Sequence, residues 1–407
     1  MDNKWIKIAG TLMLGLFVAY MDRTNLSVGL PSIAQDFGFA GANFAVTSSL
    51  VLTTFLVGYA VANVFGGIIM QRFDPKWVVI WMLGIWSLAT MLTGFVTSIT
   101  LLIAFRFALG VTEGIYWPQQ SRFARAWFAP DELTRANSII QYYGQFLALA
   151  LGFIILTPIY DHFGWQTMFF ITGGVGLFIM VPLYVVMLKK ESEAPFRVQS
   201  EGNKAKLTMQ ALGGPAFLLL LFSYISQGML FWGITLWIPM VVKSLGFTGT
   251  AQAVGSALPY IAAVILAIPM SIISDKTGKR VLIAALGLLI PGILLILLPQ
   301  VEGGYLKLGL ITVALGYYAS SFTPNIWSIL QSSVEPEAVG PASGIINGLG
   351  AGGGGTLAGF LVGLLKQSTG SYMSGFVALG IIVVLGGISL LIYGKIKEKQ
   401  LAVSALK

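Results

Sequence analysis

The sequence contains no cysteine and a single histidine, His162. Disulfides and thiolate chemistry are therefore excluded, and a zinc or haem centre is not expected, because such centres draw on Cys and His ligands. No metal and no cofactor is expected. Charge is the next scarcity. Asp, Glu, Lys and Arg make up 10% of the 407 residues, where a soluble domain carries about 25%. The longest polar stretch runs from about Lys189 to Lys206, too short for a soluble domain. What is present instead is apolar: 56% of residues are hydrophobic and the mean hydropathy is +0.83. This is the composition of an all-α polytopic membrane protein, with the lipid bilayer as its first partner. The formal net charge of +8 reads as basic loops against an anionic leaflet, not as nucleic-acid binding.

A span needs about 20 apolar residues. Twelve are expected, at 6–30, 44–70, 77–97, 99–121, 137–160, 166–188, 214–242, 251–273, 281–300, 306–331, 342–365 and 374–394. Lys4 and Lys7 before an apolar run imitate a signal peptide, but the helix continues past Asp22-Arg23 to about Pro31 with no small-residue cleavage site. A retained first span is expected. An even number of spans places both termini on one side. Nineteen of the 24 Lys and Arg residues fall with the termini and the even-numbered loops, against Lys243, Lys307 and Lys366 on the other face. That bias assigns both termini to the cytoplasm of a cell inner membrane. The fifth loop on that side breaks the trend, carrying Glu335 and Glu337 without a base.

Against this apolar background four ionisable residues lie inside membrane-length stretches: Asp22 and Arg23 in the first, Arg106 and Glu113 in the fourth. A charge at mid-bilayer costs at least about 2.5–3.5 kcal/mol, so the four are read as functional. Arg106 and Glu113 are seven residues apart, which on a helix falls within about 20° of two full turns, or about 10 Å along one face. Asp22 and Arg23 are adjacent and diverge by about 100°. That suits a cavity in which Arg23 points at a ligand and Asp22 at a neighbouring helix. Ionised, the four charges cancel. Arginine does not deprotonate, so the carboxylates are the only switch. Protonation of Asp22 and Glu113 frees Arg23 and Arg106 for a substrate carboxylate, which a guanidinium holds in bidentate fashion. Proton loss then restores the internal pairing. The bland alternative is a set of structural ion pairs between spans one and four, above all Asp22 with Arg106.

The chain also repeats. Gly67 is followed by Gln71-Arg72-Phe73-Asp74-Pro75-Lys76 after span two, and Ser271 by Asp275-Lys276-Thr277-Gly278-Lys279-Arg280 after span eight. The polar stretch Lys189, Lys190, Glu191, Glu193, Arg197, Glu201, Lys204, Lys206 divides six spans from six. Two six-helix bundles, 1–188 and 214–407, are expected about a loop at 189–213. The loop pattern resembles the signature of the major facilitator superfamily, with Gln71 in place of the usual Asp and Asp74 in place of the usual Gly. Tyr20-Met21-Asp22-Arg23-Thr24-Asn25-Leu26-Ser27 with Pro31, and Arg106-Phe107 with Gly110, Glu113-Gly114 and Pro118, are similar to the motifs of its anion:cation symporter family, which carries sugar acids and other organic anions. The resemblance covers the whole chain. It implies a secondary transporter, with Asp22 and Glu113 as proton-coupling acids and Arg23 and Arg106 as substrate-anchoring bases. Acid-coupled import and a monomeric unit are likewise implied.

Neutral polar residues complete the candidate pocket. In the first half they are Tyr20, Tyr59 with Asn63 one turn on, and Gln141 with Gln145, preceded by Asn137. In the second half they are Gln227, Trp232, Tyr260, Tyr317, Ser320, Asn325, Ser343 and Asn347. Each is equally suited to interhelical hydrogen bonding. The second half has no intramembrane charge, so the first half is expected to hold a carboxylate and the second to read a hydroxylated tail. This favours a monocarboxylate sugar acid, a hexonate or hexuronate, over a dicarboxylate; a small or aromatic carboxylate stays open as the alternative. Gly344, Gly348, Gly352–Gly355, Gly359 and Gly363 in span eleven permit close packing and a hinge. The loop position of Asp275 suggests a latch between halves. An intramembrane enzyme would need a nucleophile–base set or a metal cluster that the sequence does not supply. A ligand sensor would need a signalling domain. A drug exporter of the same fold would not place two arginines in its core.

Overall fold

The computed structural model describes residues 3–39, 44–197 and 208–405. Glu201, Lys204 and Lys206 of the central polar stretch lie outside the described residues. The described chain is almost wholly helical: α1 (Thr11–Asp36), α2 (Phe44–Ile69), α3 (Pro75–Thr93), α4 (Ile99–Trp127), α5 (Leu133–Asn137), α6 (Gly144–Gly174), α7 (Val181–Met187), α8 (Phe217–Ser244), α9 (Gly249–Thr277), α10 (Arg280–Leu297), α11 (Gly304–Ser321), α12 (Thr323–Ser333), α13 (Val339–Asn347), α14 (Gly355–Thr369) and α15 (Tyr372–Ala405). Wider π-helical turns occur at Trp5–Gly10, Ser138–Tyr143, Val175–Met180 and Gly348–Gly354.

Local chemistry sets the boundaries. The Asp74 side chain accepts from Lys76 N at 2.9 Å with Pro75 in the first helical position, which starts α3. Ser98 caps α4 through Leu101 N at 3.3 Å. Among the described residues ten stretches are long and apolar enough to cross a membrane. The sequence called for twelve, and the difference has a physical cause. Spans five and six run on within α6, broken only at Gly164, whose φ of 78° ends one helix and starts the next. Span ten is split at Phe322 into α11 and α12, where Ser320, Ser321, Thr323 and Asn325 dilute its hydropathy.

The chain forms two compact units. Unit one gathers Met1–Phe128, Ile139–Val198 and Ser343–Gly348. Unit two gathers Ala129–Ser138, Gln199–Ala342 and Leu349–Lys407. In unit one α2 lies along α4, α1 along α6, and α3 against both α4 and α6. The approach of α2 to α4 depends on glycine: a Cβ at Gly110 would collide with the Phe55 carbonyl, and one at Gly114 would come within 2.6 Å of the Tyr59 carbonyl. This contact carries the aromatic face of α2 onto the charged face of α4.

In unit two α15 packs on α10 and α8, and α9 on α11. The segment Ala129–Ser138 is held there by charge and by amides. Asp275 accepts from Thr134 N at 3.1 Å and Arg135 N at 2.9 Å at the start of α5, and pairs with Arg135 Nε at 3.2 Å and Arg280 Nη2 at 3.1 Å. Asn137 and Gln331 exchange two amide hydrogen bonds, at 2.9 and 3.0 Å.

Candidate functional site

Unit one brings the four intramembrane charges together. Arg23 donates from both Nε and Nη2 to one oxygen of Glu113, Oε2, at 2.9 and 2.5 Å. The pair is nearly dry, with side chains 9% and 2% exposed. Three rings enclose the same guanidinium, with centroids 4.2 Å (Tyr20), 5.0 Å (Phe55) and 5.2 Å (Tyr59) from Cζ. Such contacts hold a desolvated cation by about 1–2 kcal/mol each. The second Glu113 oxygen, Oε1, is buried without a hydrogen-bond partner among the described residues.

The other two charges are arranged differently. Asp22 turns away from Arg23, towards α3 and α6, and is 1% exposed. Thr90, Thr172 and Arg106 are its neighbours, yet neither carboxylate oxygen takes a well-formed hydrogen bond among the described residues. Asp22, Thr90, Thr93 and Arg106 line a small cavity with room for about one water. Arg106 is 4% exposed, its Nε has no hydrogen-bond partner among the described residues, and its Cζ lies 4.9 Å from the Phe55 centroid. The Phe55 ring therefore serves both guanidiniums. Asp22 and Arg106 share a cavity but form no ion pair among the described residues.

Tyr20 and Tyr59 meet Arg23 through their rings. The Tyr59 hydroxyl also accepts from Asn347 Nδ2 at 2.7 Å, and the same amide nitrogen donates to Asn63 Oδ1 at 2.9 Å. Asn347 ends α13, in the segment that belongs to unit one. Ser343 lies in that segment too, its hydroxyl buried without a partner among the described residues. Gln141 and Gln145 are buried in unit one, Gln141 within the π-helical turn Ser138–Tyr143.

Six candidates of the second half lie in unit two: Gln227, Trp232, Tyr260, Tyr317, Ser320 and Asn325. Gln227 accepts from the Tyr318 hydroxyl. Trp232 is half-buried with Gly355 against its indole. Asn325 accepts from the Ser274 hydroxyl and donates to Ser321 O at 2.7 Å, so both ends of its amide are engaged. Sequence reasoning passed over Phe55. Its one available signal is the stripe Phe55, Tyr59, Asn63 at intervals of four on α2.

Comparison with known proteins follows the same lines. Residues 12–359 match the family model described as Major Facilitator Superfamily. The chain is 28% identical over 402 residues to the "Probable sulfoacetate transporter" of Cupriavidus necator, covering 94% of this chain and 92% of that one. It is 25% identical over 422 residues to the "Probable galactarate/D-glucarate transporter" of Escherichia coli, covering 94% and 92%. To the D-galactonate transporter of Escherichia coli it is 24% identical over 416 residues, covering 95% of each. Among solved structures, a human organic anion transporter aligns with a TM-score of 0.75 at 14% identity, over 94% of this chain and 99% of that one. The Escherichia coli fucose:proton symporter aligns with a TM-score of 0.72 at 12% identity, over 95% and 98%. At these identities the structural likeness concerns the fold.

Proposed function

We propose, for a chain that belongs to the major facilitator superfamily and is a membrane transporter and not an enzyme, that it carries an organic anion inward together with protons. The observation that carries this reading is the unequal state of the two acids. Glu113 occupies Arg23, while Asp22 sits buried beside Arg106 with no well-formed hydrogen bond among the described residues. A substrate carboxylate can take Arg23 only by displacing Glu113, and a proton on Glu113 removes that competitor. A proton on Asp22 likewise removes the charge nearest Arg106. Coupling then follows from linkage: protons favour the anion, and the anion favours protons. A metal cation is a poorer driver here, because the cavity at Asp22 is also lined by a guanidinium.

The relatives named for sulfoacetate, galactarate or glucarate, and D-galactonate support an organic acid as substrate. The absence of an intramembrane charge in the second half favours a monocarboxylate sugar acid, with Gln227, Trp232 and Asn325 offered to its hydroxylated end. Carriage of a small, aromatic or dicarboxylic acid is the second reading, favoured by the sulfoacetate relative. The two bundles are taken as 1–188 and 214–407 in one functional monomer. The basic loops support an orientation with both termini in the cytoplasm of the inner membrane.

The test is thermal unfolding of the purified protein with D-galactonate, D-glucarate, sulfoacetate and a set of organic cations, at acidic and neutral pH. A ligand that binds the folded state stabilises it by RT ln(1 + L/Kd), where L is the free ligand concentration. A sugar acid that stabilises more at acidic pH is the expected result. Stabilisation by cations alone would overturn the anion reading.

A further inference from the structure

From Glu113 in the charged centre, α4 continues in a file of buried polar groups to which anion binding assigns no role. Glu113, Tyr116 and Gln120 follow one another at i, i+3 and i+7, a single stripe of the helix. They are 1%, 1% and 0% exposed. The Tyr116 hydroxyl shares a 2.6 Å hydrogen bond with the hydroxyl of Tyr184 on α7, which is also fully buried. Tyr184 Oη in turn reaches the Leu12 carbonyl on α1 at 3.5 Å. Glu113 Oε1, Gln119 Nε2, Gln120 Oε1 and Ser121 Oγ are all buried without a hydrogen-bond partner among the described residues. One such group costs about 1–3 kcal/mol, so a run of them along one end of a helix calls for an explanation. The neighbouring helix makes room for the hydroxyl pair: a Cβ at Gly15 would collide with Tyr184 Oη.

We propose that Tyr116 and Tyr184 relay the proton that leaves Glu113 towards the Trp127 end of α4, the cytoplasmic end in the orientation above. This rests on the proton-coupled reading of Glu113. Protonated Glu113 gives its proton, through a water, to the Tyr116 oxygen. The Tyr116 hydroxyl proton passes to the Tyr184 oxygen, and the Tyr184 hydroxyl proton passes to water beyond it. Each tyrosine takes one proton and gives one, so both end neutral. Glu113 is left as a carboxylate that re-pairs with Arg23. Buried hydroxyl pairs also act simply as interhelical glue. Glue and relay differ in what their loss does to transport.

The test uses the full chain in liposomes, with D-galactonate, D-glucarate and sulfoacetate as probes. Net uptake driven by an acid exterior requires proton release inside. Counterflow exchange at equal pH does not, because the loaded carrier returns with its proton. Tyr116→Phe and Tyr184→Phe are expected to slow net uptake about tenfold or more and to leave counterflow within about twofold of the parent. Gly15→Ala, which displaces the Tyr184 hydroxyl but keeps both tyrosines, is expected to show the same split. Equal losses of net uptake and counterflow, tracking a lower unfolding temperature, would overturn the relay and leave glue. Unchanged net uptake in both Phe variants would also overturn it. A parent that shows counterflow with no response to the pH gradient would overturn the coupling reading, and the relay with it.

Discussion

Arg23 directs two nitrogens at a single oxygen of Glu113, at 2.9 and 2.5 Å, and leaves the other oxygen of that carboxylate without a partner among the described residues. A pair made this way keeps the guanidinium aimed while leaving the acid one free site. Glu113→Gln should therefore weaken the pH dependence of anion binding, leaving the part set at Asp22. At neutral pH the variant lacks the charge that competes at Arg23 and should bind the stabilising anion more tightly than the parent does there. Calorimetric titration at both pH values checks this. A variant that keeps the parent's pH dependence would show that another group sets it.

Arg23→Lys tests the geometry and not the charge. Lysine cannot give two parallel donors, and it packs against the three rings as a compact ammonium. Acid-driven uptake should fall about tenfold or more, roughly the loss of one charge-assisted hydrogen bond. Asp22→Asn, by contrast, removes the charge nearest Arg106 as a proton would, and should raise neutral-pH anion binding while lowering the proton-driven component of uptake. Paired uptake and binding measurements on the two variants separate anchoring from coupling.

Phe55 is the ring that both guanidiniums touch, at 5.0 and 4.9 Å. Phe55→Leu keeps an apolar side chain of similar size and removes the quadrupole. The expected destabilisation is about 1–2 kcal/mol, from two desolvated cation–π contacts that do not add fully. Thermal unfolding gives the stability change, and the apparent KM for the transported anion should rise as the two cations lose their common support.

The four charges were legible because nothing else in an apolar span competes for notice. Their pairing was not. Adjacent residues on α1 send Arg23 to α4 and Asp22 to α3 and α6, and which acid is satisfied depends on how those helices turn against one another. Phe55 carried only a weak signal, its spacing of four from Tyr59, because an aromatic in a hydrophobic run does not stand out. Asn137 reads from sequence like a pocket amide, but its partner Gln331 is 194 positions away, beyond any periodicity. The break between spans five and six was legible in the gap that holds Gly164, whereas the split of span ten at Phe322 was not, because its polar residues do not by themselves mark where one helix ends.

Asp275 gathers two backbone N–H groups of α5 and two arginine side chains. Asp275→Asn leaves one acceptor and strands Arg280 among fewer partners. Hydrogen exchange of Leu133–Asn137 should lose protection by about tenfold, near 1.4 kcal/mol. Gln331→Leu, which breaks the amide exchange with Asn137 without touching the charge cluster, should lower protection at the end of α5 more than at its start. If neither variant changes exchange there, the segment is held by packing alone.

The Asn347 amide offers the sharpest test of how the first residues of span eleven are held in unit one. Its Nδ2 donates to the Tyr59 hydroxyl at 2.7 Å and to Asn63 Oδ1 at 2.9 Å, and Tyr59 in turn stacks with Phe55 at 5.9 Å. Asn347→Ala removes the donor and leaves a buried carbonyl oxygen on Asn63 with one bond fewer, which should destabilise by about 1–3 kcal/mol. Tyr59→Phe removes one acceptor but keeps the ring beside Arg23, so it should cost less. The double variant should fall short of the sum of the two by about 1 kcal/mol, the net worth of one buried hydrogen bond. Thermal unfolding of the four proteins in the cycle measures that coupling. A strictly additive result would mean that the Asn63 bond, together with the close approach of Gly344 to the Asn63 carbonyl, holds the segment without help from Tyr59.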